Sequence, residues 1–268
     1  MAEKRGRCVT SSLIQLENVT KIFSSRKGDI EAVLDFSLDV KKGEVVTLVG
    51  ASGCGKTTVL NMVAGFISPT SGRVFLEGNP ITKVEPRCGM IFQSYALFPW
   101  LTVRENVEFG PRINGIPRKI RRDEAVKYIE MVGLEGFEDS YPGELSGGMR
   151  QRVALCRVLA NKPEILLCDE PFAALDAMTR QVMQQELLRI VSQSGQTVFF
   201  ITHSIDEALI LSDRVVVMSA RPGQVKAVYD IAFPHPRMVD VQLTDEYLEF
   251  KRKIWDLVEE EVRASMSV

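Results

Sequence analysis

The stretch VVTLVGASGCGKTT, residues 45–58, decides how this chain folds. Five β-branched or apolar residues end at a glycine, a glycine-rich loop follows, and apolar residues then recur at helical spacing. The loop fits the pattern G-x-x-x-x-G-K-[ST], with its fixed positions at Gly50, Gly55, Lys56 and Thr57. In that pattern, backbone N–H groups and the start of the helix surround phosphate oxygens. The sequence therefore predicts an α/β protein built on a strand, a phosphate-binding loop and a helix.

Composition is that of an ordinary globular protein. The chain has 268 residues, 45% of them hydrophobic and 25% charged, which is enough for a large buried core. The formal net charge of −2 gives no electrostatic reason to expect nucleic acid as a partner. Five cysteines without C-x-x-C spacing predict neither a zinc site nor a disulfide framework. We read no signal peptide and no spanning segment, so a membrane role would need a partner.

The basic residues are scattered, with one exception. That cluster comprises Arg118, Lys119, Arg121 and Arg122. Apolar residues at helical spacing follow it, at Ala125, Ile129 and Val132. We interpret the cluster as the beginning of a solvated helix.

Two further stretches carry residues suited to phosphate chemistry. The apolar run at residues 165–168 predicts a central parallel strand that brings Asp169 and Glu170 to its carboxyl end. One carboxylate can hold Mg²⁺, and the other can act as a general base on water. Ser146 is predicted to cap a helix that opens with two glycines, which makes a second anion-binding terminus. One phosphate held between two such sites implies two chains facing each other.

In their order along the chain, these motifs resemble the ATP-binding subunits of ABC transporters, from about residue 13 to 221. The motifs are GASGCGKT at 50–57, Gln93, LSGGMRQR at 145–152, ILLCDE at 165–170, ALD at 174–176 and His203. Met149 departs from the Gln that usually follows Ser-Gly-Gly, a change that leaves the serine and backbone contacts available. The resemblance implies the P-loop NTPase fold of ABC ATPases, with a mainly parallel core sheet, an antiparallel β subdomain and a helical subdomain.

The resemblance also implies a division of the chain. Residues 1–12 would form an N-terminal tail and residues 13–223 the ATP-binding domain, with the helical subdomain at about 94–160. Residues 224–268 would form a C-terminal helical tail. This tail is too short for the regulatory β-barrel of some importer ATPases, since domains usually need about 50–200 residues.

Roles for individual residues follow from the resemblance. ATP would stack its base on Phe23 and place its phosphates in a loop made of Gly50, Ala51, Ser52, Gly53, Cys54, Gly55, Lys56, Thr57 and Thr58. Mg²⁺ would be held by Thr57, Gln93 and Asp169. Catalysis would use Glu170 as general base, His203 at the γ-phosphate and Gln93 at the attacking water. A second subunit would contribute Ser146, Gly147, Gly148 and Asp176. The alternative for Phe23 is a place in the hydrophobic core.

Finer features resemble the nitrate, sulfonate and taurine importers. They include DEPFAALDAMTR, ITHSIDEA and the RPG at 221–223. The implied protein is a peripheral ATPase on the cytoplasmic face of the inner membrane, dimeric when ATP is bound. Its partners would be two permease subunits and an extracytoplasmic solute-binding protein. A soluble ABC ATPase or an exporter motor is the alternative, and nitrate, sulfonates, taurine, bicarbonate or a pyrimidine precursor all remain open as the substrate.

The segment after Gln93 is unusually aromatic for a loop, with Tyr95, Phe98 and Trp100 in six residues. In the resembling family, this segment docks the coupling helix of the permease. Packing of these side chains into the chain's own core is the alternative interpretation.

Overall fold

The structure, a computed structural model, describes residues 12–26, 28–234, 237 and 239–266. Its strands are β1 (Ser12–Ser25), β2 (Gly28–Lys41), β3 (Val45–Val49), β4 (Ser71–Leu76), β5 (Asn79–Pro80), β6 (Cys88–Ile91), β7 (Ile165–Asp169), β8 (Thr197–Ile201), β9 (Arg214–Met218) and β10 (Val225–Asp230). Its α-helices are α1 (Lys56–Val63), α2 (Val103–Ile113), α3 (Arg118–Met131), α4 (Gly147–Leu159), α5 (Ala177–Ser194), α6 (Ile205–Leu211) and α7 (Asp245–Met266). Short 3₁₀ helices span Pro142–Glu144 and Val239–Leu243.

The strands form two sheets of different character. One is antiparallel, with the order β2-β1-β4-β5. The other has the order β10-β9-β3-β8-β7-β6, in which β9 through β6 are parallel and β10 is antiparallel at the edge. This matches the expected combination of a mainly parallel core sheet and an antiparallel β subdomain.

Side chains of the parallel strands alternate between two hydrophobic cores. In β8, Phe199 and Ile201 face the core shared with the antiparallel sheet and α1, whereas Val198 and Phe200 face the core under the helices α2 to α5. All five residues of β3, β7 and β8 are buried. Since both faces are covered, these strands read as continuous apolar runs rather than alternating ones. Because β3, β8 and β7 are parallel neighbours, their carboxyl ends meet at one edge of the sheet.

A third hydrophobic cluster joins β9 and β10 to α6 and α7. Tyr247 of α7 is buried and donates a hydrogen bond from its hydroxyl to Asp206 Oδ1 of α6 at 2.7 Å. Arg237 is also buried, and its guanidinium donates to backbone oxygens that include Leu209 and Ile231. The C-terminal segment is thereby fixed to the main sheet.

Three expectations need correction. Residues 224–268 are not helical alone, because β10 adds a strand to the free edge of β9 and the sheet continues past residue 223. The predicted elements omit α2, although it lies inside the helical subdomain expected at about residues 94–160. Finally, alternation in the sequence predicts strands at residues 13–20 and 33–40 with a polar turn at 24–29, whereas β1 continues to Ser25 and β2 already begins at Gly28. The tail predicted at residues 1–12 falls outside the described residues except for Ser12, which begins β1.

None of the helices in the described ranges is both long enough and apolar enough to cross a membrane.

Candidate nucleotide-binding and catalytic site

A cavity of about 470 Å³ opens at the carboxyl edge of the parallel sheet. Ten of the residues predicted to bind nucleotide or to act in catalysis line it: Phe23, Ser52, Gly53, Gly55, Lys56, Thr57, Thr58, Gln93, Glu170 and His203. They come from β1, from the loop between β3 and α1, from the first turn of α1, and from the residues that follow β6, β7 and β8. Residues far apart in the chain are therefore brought into one cavity by the meeting of strand ends.

The loop at residues 50–55 leaves the start of α1 without a side-chain cap. Gly55 occupies the N-cap position with φ +104°, no side chain accepts from the first turn, and that turn holds no acidic residue. The unpaired N–H groups and the positive end of the helix dipole are what an anion needs. The chemistry of this terminus therefore fits a phosphate group.

Lys56 is held at the floor of the cavity and is only 5% exposed. Its Nζ donates to the carbonyl oxygens of Gly50 and Ala51, both at 2.9 Å, and approaches Cys54 Sγ at 3.6 Å. No carboxylate lies within ion-pair distance of Lys56 among the described residues. With no carboxylate beside it, the Lys56 amine is available to pair with a phosphate.

Close packing fixes the loop from behind. A Cβ at Gly55 would lie 2.6 Å from the carbonyl oxygen of Ala32 on β2. A Cβ at Gly223 would lie 2.0 Å from the carbonyl oxygen of Cys54. Gly223 in turn donates from its N–H to Ala32 O at 3.1 Å, and its carbonyl accepts from Leu34 N at 3.0 Å. Only glycine fits at either position, and the loop is supported by both sheets.

The predicted metal ligands offer three kinds of oxygen beside the loop. Thr57 Oγ1 donates to Asp169 Oδ1 at 3.2 Å, and Gln93 lines the same cavity. Burial raises the pKa of Asp169, since a charged carboxylate is poorly solvated at the end of β7. A hydroxyl, an amide and a carboxylate oxygen suit Mg²⁺, which prefers hard oxygen ligands and retains several waters. The residues present therefore fit the metal that the resemblance implies.

Glu170 stands between two of the other predicted catalytic residues. Its Oε1 lies 2.5 Å from His203 Nε2, and its Oε2 accepts from Gln93 Nε2 at 3.2 Å. Both carboxylate oxygens are therefore fixed in direction within the cavity. The predictions did not foresee this direct contact, because they placed His203 against phosphate rather than against Glu170.

Comparison with known proteins identifies the family. Residues 33–173 match the family described as ABC transporter, a span of more than half the chain. The chain belongs to the ABC transporter family. Its α/β fold and ATPase type follow from that membership, as does binding of ATP.

Several relatives cover nearly all of this ABC ATPase. An uncharacterised ABC transporter ATP-binding protein of Methanocaldococcus jannaschii is 49% identical, covering 94% of each chain. The taurine import ATP-binding protein TauB of Roseobacter denitrificans is 44% identical, covering 92% of this chain and 96% of its own. The aliphatic sulfonates import ATP-binding protein SsuB of Bacillus cereus is 42% identical, covering 90% and 94%.

Solved structures agree with the fold of this ABC ATPase. A dimeric ATP-binding cassette in a post-hydrolysis state, bound to ADP and Pi, is 34% identical with a TM-score of 0.74. It covers 82% of this chain, and all of that cassette is matched. A second dimeric structure of a bacterial ABC transporter cassette gives a TM-score of 0.75 at the same identity.

The backbone of Glu170 in this ABC ATPase adopts an uncommon conformation. Its φ is +50°, which costs a residue with a Cβ of the order of 1 kcal/mol. Two contacts hold it there: Glu170 N donates to Ile201 O at 3.1 Å, and Glu170 O accepts from Gln151 Nε2 at 3.2 Å. Gln151 is buried, and its Oε1 accepts from Ala174 N at 3.1 Å. One side chain of α4 thus braces both ends of the turn that carries Glu170.

Two residues at the mouth of the cavity bear on nucleotide binding: Phe23, which was predicted, and Arg221, which was not. Phe23 is 42% exposed, with Lys21 Nζ 5.2 Å from the centre of its ring, so it is not a core residue. Arg221 also lines the cavity, and its guanidinium lies 3.4 Å from Gly53 O. In the sequence, Arg221 stands out only as part of the RPG motif at 221–223. Its isolated position, more than 160 residues from the loop, gave no local signal of this contact.

The residues predicted to act on a second subunit lie outside the lining of the cavity. Ser146 caps α4 and accepts from Met149 N at 3.2 Å, and Gly147 and Gly148 form the first turn of that helix. Asp176 caps α5 and accepts from Thr179 N at 3.0 Å. The cap at Ser146 uses only one lone pair of its hydroxyl oxygen. The Ser146 hydroxyl can still donate to a further acceptor, so the predicted role stays compatible with the geometry.

Proposed function

We infer that this ABC ATPase is the ATP-hydrolysing subunit of an importer for a small solute, such as taurine, another sulfonate or nitrate, which crosses through a separate permease. The observation that carries the ATPase part is the cavity in which Lys56, Glu170 and His203 meet. The importer part is supported by the relatives TauB and SsuB, whose names describe import ATP-binding proteins. A soluble or exporter-associated ATPase is the alternative to importer.

The proposed reaction is hydrolysis of the terminal phosphate by positioned groups. The bond between the γ-phosphorus and the bridging oxygen breaks as a water oxygen bonds to phosphorus, and Glu170 accepts the proton of that water. Lys56 and the N–H groups of α1 stabilise charge on the phosphate oxygens. Gln93 and His203 keep the carboxylate of Glu170 directed into the cavity. Mg²⁺, when held by Thr57, Gln93 and Asp169, would neutralise charge on the phosphates.

The proposed assembly is a homodimer when ATP is bound, with two permease subunits and an extracytoplasmic solute-binding protein. Ser146, Gly147, Gly148 and Asp176 would complete the nucleotide site of the opposite subunit. The dimeric solved cassettes support this arrangement. Attachment to a permease would place the protein on the cytoplasmic face of the membrane.

Glu170 is the proposed general base, and its substitution tests that role. Glu170→Gln keeps the hydrogen-bonding shape but removes the proton acceptor, so we expect steady-state ATP hydrolysis to fall by about 10²–10⁴-fold. ATP should still bind, and size-exclusion chromatography in ATP should show a dimer that does not dissociate. The control is Glu186→Gln, an acid on α5 that does not line the cavity. Unchanged hydrolysis in Glu170→Gln would remove Glu170 from the base role.

Import is separated from the alternatives by cell fractionation. We expect the protein to sediment with membranes only when its permease is present, and to leave the membrane fraction in cells that lack the permease. Sedimentation that is independent of any permease, or a purely soluble protein in its native cells, would favour a soluble or exporter-associated ATPase.

A further inference from the structure

A second charged cavity lies between α2 and α3, away from the residues of the nucleotide site. Its volume is about 280 Å³. Its lining consists of Thr102, three carboxylates and five arginines, the arginines being Arg104, Arg112, Arg118, Arg121 and Arg122. Three of these, Arg118, Arg121 and Arg122, belong to the basic cluster interpreted from the sequence as the beginning of a solvated helix. The structure confirms that interpretation, since α3 begins at Arg118 and both Arg118 and Arg122 are exposed, and it adds that these side chains line a cavity.

Each of the three carboxylates already has a hydrogen-bond or ion-pair partner within the protein. Glu105 Oε2 accepts from Thr102 N at 3.0 Å, within the capping box of α2. Glu108 pairs with Arg121 at 2.8 Å, and Asp139 pairs with Arg104 at 3.0 Å. Five cations against three anions leave the lining with an excess of two positive charges.

Three of the arginines lack an acidic partner. In the described part of the chain, no carboxylate lies within ion-pair distance of Arg112, Arg118 or Arg122. Arg112 lies only over the ring of Phe109, at 5.4 Å. Of the paired arginines, Arg104 has a buried Nε without a hydrogen-bond partner. Guanidinium groups drawn together without enough carboxylates repel one another, unless an anion occupies the space between them.

The beginning of α3 adds to this imbalance. Pro117 at its N-cap offers no side-chain acceptor, and the first turn holds no acidic residue. Arg118, Lys119 and Arg121 instead put like charge at the positive end of the helix dipole. Helices usually place acids there, so this sequence breaks the ordinary rule in the same place where the cavity forms.

We propose that this cavity is a binding site for a tetrahedral oxyanion, a phosphate or sulfonate group. Planar guanidinium groups bind such groups through pairs of hydrogen bonds, which matches a lining that is almost wholly charged. A volume of about 280 Å³ suits a small molecule or one headgroup. The group is supplied either by a free ion or ester, or by the headgroup of an anionic lipid.

The position of the site gives it a route to function. Thr102 and Arg104 directly follow the aromatic segment at residues 94–101, which we predict to dock the permease. An anion bridging α2 and α3 fixes the helix that begins at the end of this segment. Bound oxyanion is therefore adjacent to the docking surface and distant in sequence from the phosphate loop.

Calorimetric titration of the full chain with inorganic phosphate, at constant ionic strength and with ADP filling the loop, tests the site. We expect one phosphate per chain, bound at least tenfold more weakly by the Arg118→Ala/Arg122→Ala variant. The matched control is Lys119→Ala/Lys127→Ala, which removes the same charge from α3 without touching the lining. Circular dichroism and basal ATPase activity confirm that both variants are folded.

Flotation with vesicles of phosphatidylglycerol and phosphatidylcholine distinguishes the two sources. Vesicle binding that requires Arg118 and Arg122 and is displaced by phosphate assigns the group to lipid. Phosphate binding without vesicle binding assigns it to a free ion or ester. Equal weakening in both double variants, or no phosphate bound beyond the loop, overturns the proposal.

Discussion

At the scale of single residues, Glu170 is held by contacts from distant parts of the chain. The loop from Gly50 to Thr58 and the pair Asp169-Glu170 could be predicted, because their chemistry depends on spacing within a few residues. The contact of His203 with Glu170, the position of Arg221 and the brace at Gln151 could not. Each joins residues that only the sheet brings together, so no local pattern records them.

Arg221 should contribute to nucleotide binding rather than to the chemical step. It lines the cavity but is exposed and contacts the loop backbone, so we expect Arg221→Ala to raise KM for ATP by about 3–10-fold, equivalent to about 1 kcal/mol. The value of kcat should change little. Arg73→Ala, at an exposed arginine of β4 outside the cavity, is the control. An unaltered KM would mean that Arg221 only supports the loop.

Glu207 should make stability depend on pH. Burial raises the pKa of this carboxyl, whose Oε2 accepts from Thr202 Oγ1 at 2.5 Å. Since the folded pKa lies above the unfolded value of about 4.3, this group lowers the free energy of unfolding as pH rises from there through the folded pKa. The substitution Glu207→Gln removes the titrating group and with it this decrease in the free energy of unfolding. Urea unfolding should give the variant a higher free energy of unfolding, relative to wild type, at pH 7.5 than at pH 4.5. A constant difference at both values would argue against it.

At the scale of elements, strands were easier to predict than their ends or their neighbours. The parallel strands stand out as apolar runs, and Ser146 was recognisable as the cap of α4. Gly110 and Pro111 near its end masked α2, although Thr102 and Glu105 form a capping box that could have indicated its start. The strand β10 is short and only half-buried, so its place depends on the free edge of β9 rather than on its own sequence.

The brace from α4 to the turn after β7 should be needed for catalysis. Gln151→Leu leaves Glu170 O and Ala174 N without a side-chain partner, so we expect a loss of about 1–3 kcal/mol of unfolding free energy. Because the backbone of Glu170 is then less firmly held, kcat should fall about tenfold. Gln184→Leu replaces another buried glutamine, one on α5, and should lower stability alone. Equal kcat values in the two variants would contradict the bracing role.

The aromatic segment should couple hydrolysis to transport through Trp100. Trp100 is 70% exposed, whereas Phe98 packs against Phe109 with ring centres 4.4 Å apart. Phe98 is therefore half-buried against another part of the same chain, and docking of the permease at the exposed Trp100 stays a prediction. We expect Trp100→Asp to abolish solute uptake and to leave basal ATPase activity unchanged. The free energy of unfolding should stay within about 0.5 kcal/mol of wild type. Leu243→Asp, at another exposed apolar residue, is the control, and uptake by Trp100→Asp cells would exclude this surface.

At the scale of the whole molecule, the fold class followed from the order of the motifs, and the solved cassettes agree with it. The division into domains stays a prediction, although the sheet crosses the boundary drawn at residue 223. What a second subunit contributes depends on surfaces that meet only in an assembly. No pattern within one chain fixes that geometry.

Gly223 lies in a continuous series of contacts that joins the phosphate loop to the last helix. It lies directly beneath Cys54, with no room for a single added carbon, and leads at once into β10, where Lys226 binds Glu260 and Glu261 of α7. We expect any shift of the loop on nucleotide binding to be passed to the last helix through these contacts, because tightly packed atoms transmit strain. A fluorophore attached near the C-terminus would then serve as an optical reporter of occupancy at the opposite end of the sequence.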